Sequence, residues 1–126
     1  MRNITGAAVM LLATACMSIP EGPLANGGVR NFVEVNPALS RGAQPTAAGV
    51  ATLAARDIVT IVDLRPRDAD PAAFDRERNA AAALGLQFKS YPLSNWFAPP
   101  VSRVEEILAA INDRDLQPVF VHCHRG

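Results

Sequence analysis

The sequence predicts an α/β domain with a mostly parallel central sheet and helices on both faces. Three observations carry this. Runs of apolar and β-branched residues, led by Ile58–Leu64 and Val119–Val121, alternate with stretches of helical spacing. The Ile58–Leu64 run is apolar almost without a break, as a strand covered on both faces should be. The final run leads directly into a cysteine and then a glycine. A strand that breaks into such a loop, with a helix to follow, is how α/β proteins aim backbone amides at an anion.

The elements follow in order. Phe32, Val33 and Val35 make Asn31–Val35 a short strand, and Asn36-Pro37 turns it. Leu39–Ala43 is a second strand. Thr46 is placed to cap a helix carrying Val50, Leu53 and Ala54, which ends near Ala55. Ile58–Leu64 is the clearest strand, closed by Arg65-Pro66. Asp63, at its carboxyl end, is read as a local cap or a partner of Arg65 or Arg67, with a site role as the alternative. Asp70-Pro71 opens the next helix, which runs through the alanines to Leu84 and is closed by Gly85. Asp75, Arg76, Glu77 and Arg78 are assigned to its solvated face. Leu86–Leu93 is a strand. Ser102 is the expected cap of a helix to Ile111, with Glu105 completing a capping box and Val104, Ile107, Leu108 and Ile111 as its apolar stripe.

Size and charge narrow the function. A chain of 126 residues holds one domain at most. Its formal net charge is +0, with no basic block, so no nucleic-acid partner and no anionic surface is indicated. The N-terminus reads as an export signal. Arg2 is followed by an apolar stretch, Ile4–Ala13, too short to span a bilayer. Ala13-Thr14-Ala15 is a small-x-small cleavage site, and Cys16 follows at once. That ending resembles a bacterial lipoprotein signal, with Cys16 as the lipid anchor, although Leu12 stands one place early. Simple cleavage after Ala15 is the alternative, and an N-terminal helix of a cytosolic protein lacks helical periodicity here. The expected plan is a signal peptide over residues 1–15, a flexible Pro/Gly-rich tether over 16–30 and the α/β domain over 31–126. The protein is then exported and periplasmic. With Cys16 on the tether, Cys123 has no disulfide partner, and a lone thiol in an oxidising compartment must be buried or functional.

Val119-Phe120-Val121-His122-Cys123-His124-Arg125-Gly126 resembles the start of the signature loop of the cysteine-dependent protein phosphatases, tyrosine and dual-specificity. That signature is His-Cys, five residues, then Arg. Asn36–Thr46, with Ser40-Arg41-Gly42-Ala43-Gln44-Pro45, is similar to an entry segment of the atypical dual-specificity members, and Ile61–Arg65 fits their first buried strand. The resemblance spans Val33–Gly126. It implies that Cys123 is the nucleophile, that His124, Arg125 and Gly126 begin the phosphate-binding loop, and that His122 supports the loop. The signature arginine falls at residue 129, so Arg125 is not that arginine. The resemblance therefore implies a chain cut within the loop, lacking the helices that would follow. Such a fragment is expected to be inactive, poorly soluble and to melt with low cooperativity.

The family's general acid is an aspartate on a loop that corresponds to Ser94–Pro100. No Asp or Glu lies between Lys89 and Arg103, and Asn95 stands beside Trp96 where the acid is expected. Asn95 and Trp96 are candidate substrate-flanking residues, with packing of Trp96 and Phe97 onto the core as the alternative. No cofactor is implied and no metal is needed. Were the strand to continue, His122 and His124 would face away from Cys123, so the three could not share one ion. The substrate is a phosphorylated protein or a small phosphorylated metabolite. A rhodanese-like sulfurtransferase, which also ends a strand in a cysteine loop, and a non-catalytic truncated lipoprotein are the competing readings.

Overall fold

The computed structural model describes residues 27–126. The expected signal peptide and the anchor Cys16 lie outside the described residues. Strands β1 (Val33–Asn36) and β2 (Leu39–Gly42) form a hairpin whose turn is tied by Asn36, its Oδ1 accepting from the Ala38 N–H at 2.8 Å. Helix α1 (Ala47–Ala55) follows, then β3 (Thr60–Asp63), α2 (Pro71–Ala83), β4 (Gln87–Ser90), α3 (Val101–Asn112) and β5 (Val119–His122). The five strands are ordered β1-β2-β5-β3-β4, and only the β1–β2 pairing is antiparallel. The predicted α/β architecture is therefore present, with β5 and β3 at the centre.

Side chains alternate across a strand, so each central strand feeds two cores. Ile61 and Phe120 pack with Val50, Leu53 and Ala81 on the α1–α2 side. Val62 and Val119 pack with Ala110, Leu116 and Ile111 on the α3 side. Burying one such Val, Leu, Ile or Phe side chain stabilises the fold by about 1.5–3 kcal/mol.

The helix starts follow local chemistry. The Thr46 hydroxyl accepts from the Gly49 N–H at 3.0 Å, and the Asp70 carboxylate accepts from the Ala73 N–H at 2.9 Å. Gly85, at φ +75°, lets the chain leave α2 in the left-handed region. Helix α3 departs from expectation. It begins at Val101 with Pro100 in the cap position and no side-chain cap, so the capping box of Ser102 and Glu105 does not form. Pro100 is extended at φ −63° and ψ 151° and has no side-chain acceptor, so the first amides of α3 take no capping bond. The α3 stripe is also only partly buried: Val104 and Leu108 remain exposed.

The packed chain begins before residue 31. Val29 is fully buried against Val50 and Leu53. The Gly28 carbonyl accepts from the Thr46 N–H at 3.1 Å, and that of Gly27 from the Thr52 hydroxyl at 2.8 Å. The end of the expected tether is thus part of the domain, because one valine's burial and two hydrogen bonds fix it. Gly28, at φ +92°, sits where an added Cβ would meet the Thr46 hydroxyl and lie 2.8 Å from the Gly49 nitrogen. No helix of the described residues is long and apolar enough to cross a membrane.

Candidate active site

The site lies at the carboxyl ends of β3 and β5. In their parallel register Asp63 stands beside His122. Both side chains share the face of Ile61 and Phe120, beneath α2. The chain then leaves the sheet at Cys123, which is exposed and unpaired by any disulfide. Its sulfur accepts a hydrogen bond from the Gly126 N–H at 3.2 Å. The loop therefore curls around the sulfur, with an amide aimed at the atom that carries charge in a thiolate.

Residues far away in sequence hold that loop. Asn31 Nδ2 donates to the Arg125 carbonyl at 2.8 Å, and the Arg41 guanidinium to the Gly126 carbonyl at 3.1 Å. The Gln44 N–H reaches the His124 carbonyl at 3.4 Å. Gly126, at φ +81°, lies so close to β2 that a Cβ would come within 2.7 Å of the Ala43 nitrogen. Asn31 and Arg41 were not legible as supports, because their partners are backbone atoms of a loop 85 or more residues later.

Beneath the loop is a buried charged network. The Arg65 guanidinium donates two hydrogen bonds to Asp63, Nε to Oδ1 at 2.9 Å and NH2 to Oδ2 at 2.7 Å. Its NH2 also donates to Glu77 Oε2 at 2.7 Å. The other Glu77 oxygen lies 2.6 Å from His122 Nε2, and His122 Nδ1 lies 2.9 Å from the Cys123 carbonyl. The pairing of Asp63 with Arg65 was expected. The assignment of Glu77 to a solvated face is wrong: Glu77 is buried on α2 between Ala73 and Ala81. The four-residue spacing of Ala73, Glu77 and Ala81 was the available signal, since it places Glu77 within a stripe of alanines. Burial disfavours the charged Arg65 guanidinium. The hydrogen bond to Asp63 and the charges of Glu77, Asp63 and Asp70 outweigh this and raise its pKa above the ordinary arginine value.

Oxygen and nitrogen atoms of Asp63, Glu77 and His122 lie within 4.8 Å of one another, a grouping able to hold a metal ion. Here the Arg65 guanidinium bonds both carboxylates, so an internal cation already fills that role. His122 is buried whereas Cys123 and His124 are exposed, and these three do not form a ligand set.

Cys123, His124 and Arg125 open onto a cleft of about 920 Å³, also lined by Arg65, Asp70, Phe74 and Asn95. Asn95 thus lines the same cleft as Cys123. Trp96 is not: it is 87% exposed, lines a neighbouring depression beside Pro66 and Arg67, and is packed onto no core. Asp70 is an acidic group of this cleft, and its carboxylate is engaged as the cap of α2.

The family model described as DSP-PTPase phosphatase fused to NAD+ kinase matches residues 26–126. The chain belongs to this phosphatase family. Its members are cysteine phosphatases of the tyrosine and dual-specificity class, which are hydrolases. The family's α/β fold recurs in solved structures. The catalytic core of the PP-IP phosphatase SIW14 from S. cerevisiae aligns with a TM-score of 0.67 and 20% identity, over 78% of this chain and 58% of that one. A DUF442 protein from Shewanella putrefaciens aligns with a TM-score of 0.69 and 24% identity, over 83% of this chain and 66% of that one. TpbA of P. aeruginosa aligns with a TM-score of 0.57 and 24% identity, over 75% and 54%. The chain thus spans between about half and two thirds of the length of these structures. No curated protein matches the sequence.

Proposed function

We propose that Cys123 is the nucleophile of phosphoric monoester hydrolysis. The observation that carries this is the Gly126 amide held 3.2 Å from the Cys123 sulfur at the carboxyl end of β5. The thiolate attacks phosphorus, the bond to the leaving oxygen breaks, and a phosphocysteine forms. Water then attacks that phosphorus, the P–S bond breaks, and phosphate leaves with the thiolate restored. Loop amides stabilise the equatorial oxygens where transition-state charge gathers. His124 and Arg125 line the cleft and attract the anionic substrate.

Asn95 reaches the cleft without a transferable proton. The leaving oxygen must then depart with little assistance, so aryl phosphates are the better substrates and alkyl phosphates the poorer ones. The substrate class is a phosphorylated protein or a small phosphorylated metabolite. The name of the yeast relative, a PP-IP phosphatase, supports the second.

Residues 1–126 supply the nucleophile and three loop positions, while the signature places its arginine at residue 129. A polypeptide of residues 1–126 is expected to release no phosphate from an aryl phosphate above background. One extended through an arginine at position 129 is expected to release it, with loss of the signal in Cys123→Ser. Phosphate release by residues 1–126 alone would disprove the inactivity of that polypeptide. Transfer of sulfur to cyanide without phosphate release would establish the rhodanese-like alternative instead.

We further propose export with lipid attachment at Cys16, supported by Ala13-Thr14-Ala15 immediately before it. Metabolic labelling with palmitate should mark the protein and fail in Cys16→Ser. Unlabelled protein in the periplasm would mean simple cleavage.

A further inference from the structure

We infer that Asn31 is a positioning residue that aims the Gly126 N–H at the Cys123 sulfur. The link between them is a single peptide plane. The Arg125–Gly126 peptide is trans, so its carbonyl and its N–H point in opposite directions and turn together. At one edge of the plane, Asn31 Nδ2 donates to the Arg125 carbonyl at 2.8 Å. At the opposite edge, the Gly126 N–H donates to the sulfur at 3.2 Å. Among the described residues Asn31 is the one donor to that carbonyl.

The plane needs such a tie. Gly126 has no Cβ and stands at φ +81°, so its own backbone resists a flip of the preceding peptide less than any other residue would. A flip would turn the carbonyl oxygen toward the sulfur and toward the oxygens of a phosphate bound there. Thiolate and phosphate are both negative, so the loop would then repel what the amide attracts.

Asn31 is itself held in an uncommon conformation. Its φ is +55°, a region that asparagine tolerates better than most residues but at a cost in strain. Its neighbours fix it on both sides. The Arg30 carbonyl accepts from the Ala43 N–H at 2.8 Å. The Phe32 ring stacks on Phe120 at 6.1 Å, with the Arg56 guanidinium 4.4 Å from its centroid. Asn31 is exposed, so its packing does not explain an asparagine at this position. A glycine would meet the backbone requirement without strain. What the carboxamide adds is a donor, and the loop uses it.

This inference rests on the reading of Cys123 as the nucleophile, and its test needs no turnover. In the full chain, carbonyl-13C arginine combined with 15N glycine marks only Gly42 and Gly126, the two glycines that follow an arginine. The Gly126 amide proton is expected to shift when Cys123→Ala removes the sulfur. In Asn31→Gly that shift is expected to fall to less than half. Glycine adopts the positive φ freely, so a role in the backbone alone predicts the full shift. Asn31→Asp keeps the size and the tolerance of that φ but offers only acceptors, and it is expected to lose the shift as well. A full shift in either folded variant overturns the inference. Should neither fold, the wild type decides, and a Gly126 amide that ignores removal of the sulfur overturns it. Hydrolysis assays can fail while the shift and its dependence on Asn31 hold, so loss of the phosphatase reading and loss of the Asn31 role are distinguishable.

Discussion

At Arg65, one guanidinium answers two buried carboxylates. Arg65→Ala strands Asp63 and Glu77 without a cation in the interior. The expected loss is about 3–5 kcal/mol, read from the midpoint of guanidinium denaturation. A loss below 1 kcal/mol would show that water reaches the network. The pH dependence has a definite sign. The folded-state pKa of Arg65 is raised. Its stabilisation is therefore complete below the ordinary arginine value and is lost only as pH climbs through the raised one. Titration of Arg65 should thus leave stability unchanged across the neutral range. Cysteine was legible as the key residue because its neighbours in sequence form the loop. Glu77 was not, because its partners Arg65 and His122 lie on two other segments and meet it only when β3, α2 and β5 pack.

Among the elements, two of the three expected helix caps separate cleanly. Thr46 caps α1, so Thr46→Ala is expected to cost about 1 kcal/mol. Ser102 caps nothing, so Ser102→Ala should change stability by less than roughly 0.5 kcal/mol. Equal losses at the two positions would restore Ser102 as a cap. The sequence signal at α3 was ambiguous for a physical reason: Pro100 and Ser102 both suit a helix start, and only the backbone shows where the turn begins. The segment before β1 makes a related prediction. Gly28→Ala places a Cβ against the Thr46 hydroxyl with φ at +92°, so it should lower the melting temperature. An unchanged melting temperature would mean that this segment contributes nothing to the packed domain.

At the scale of the whole molecule, the described residues expose an apolar stretch around α3. Trp96, Phe97, Val101, Val104 and Leu108 are all exposed along the loop before α3 and on α3 itself. The polypeptide of residues 1–126 is expected to bind the dye ANS and to have low solubility. Val104→Lys with Leu108→Glu should reduce dye binding and raise solubility, while the denaturation midpoint stays nearly constant. A large loss of stability would show that the stripe is packed in solution.

By itself the sequence determined the layers. Strand and helix periods, the turn at Asn36-Pro37 and the caps at Thr46 and Asp70 are local properties, and they fix an α/β chain ending in a cysteine loop. The tertiary structure decided what surrounds the cysteine. Parallel pairing placed Asp63 beside His122, and α2 laid Glu77 over both. The same packing brought Asn31 and Arg41 to the loop backbone and Asn95 to the cleft, while leaving Trp96 outside. Contacts of that kind depend on register and distance between segments far apart in the chain, and no local pattern of residues encodes them.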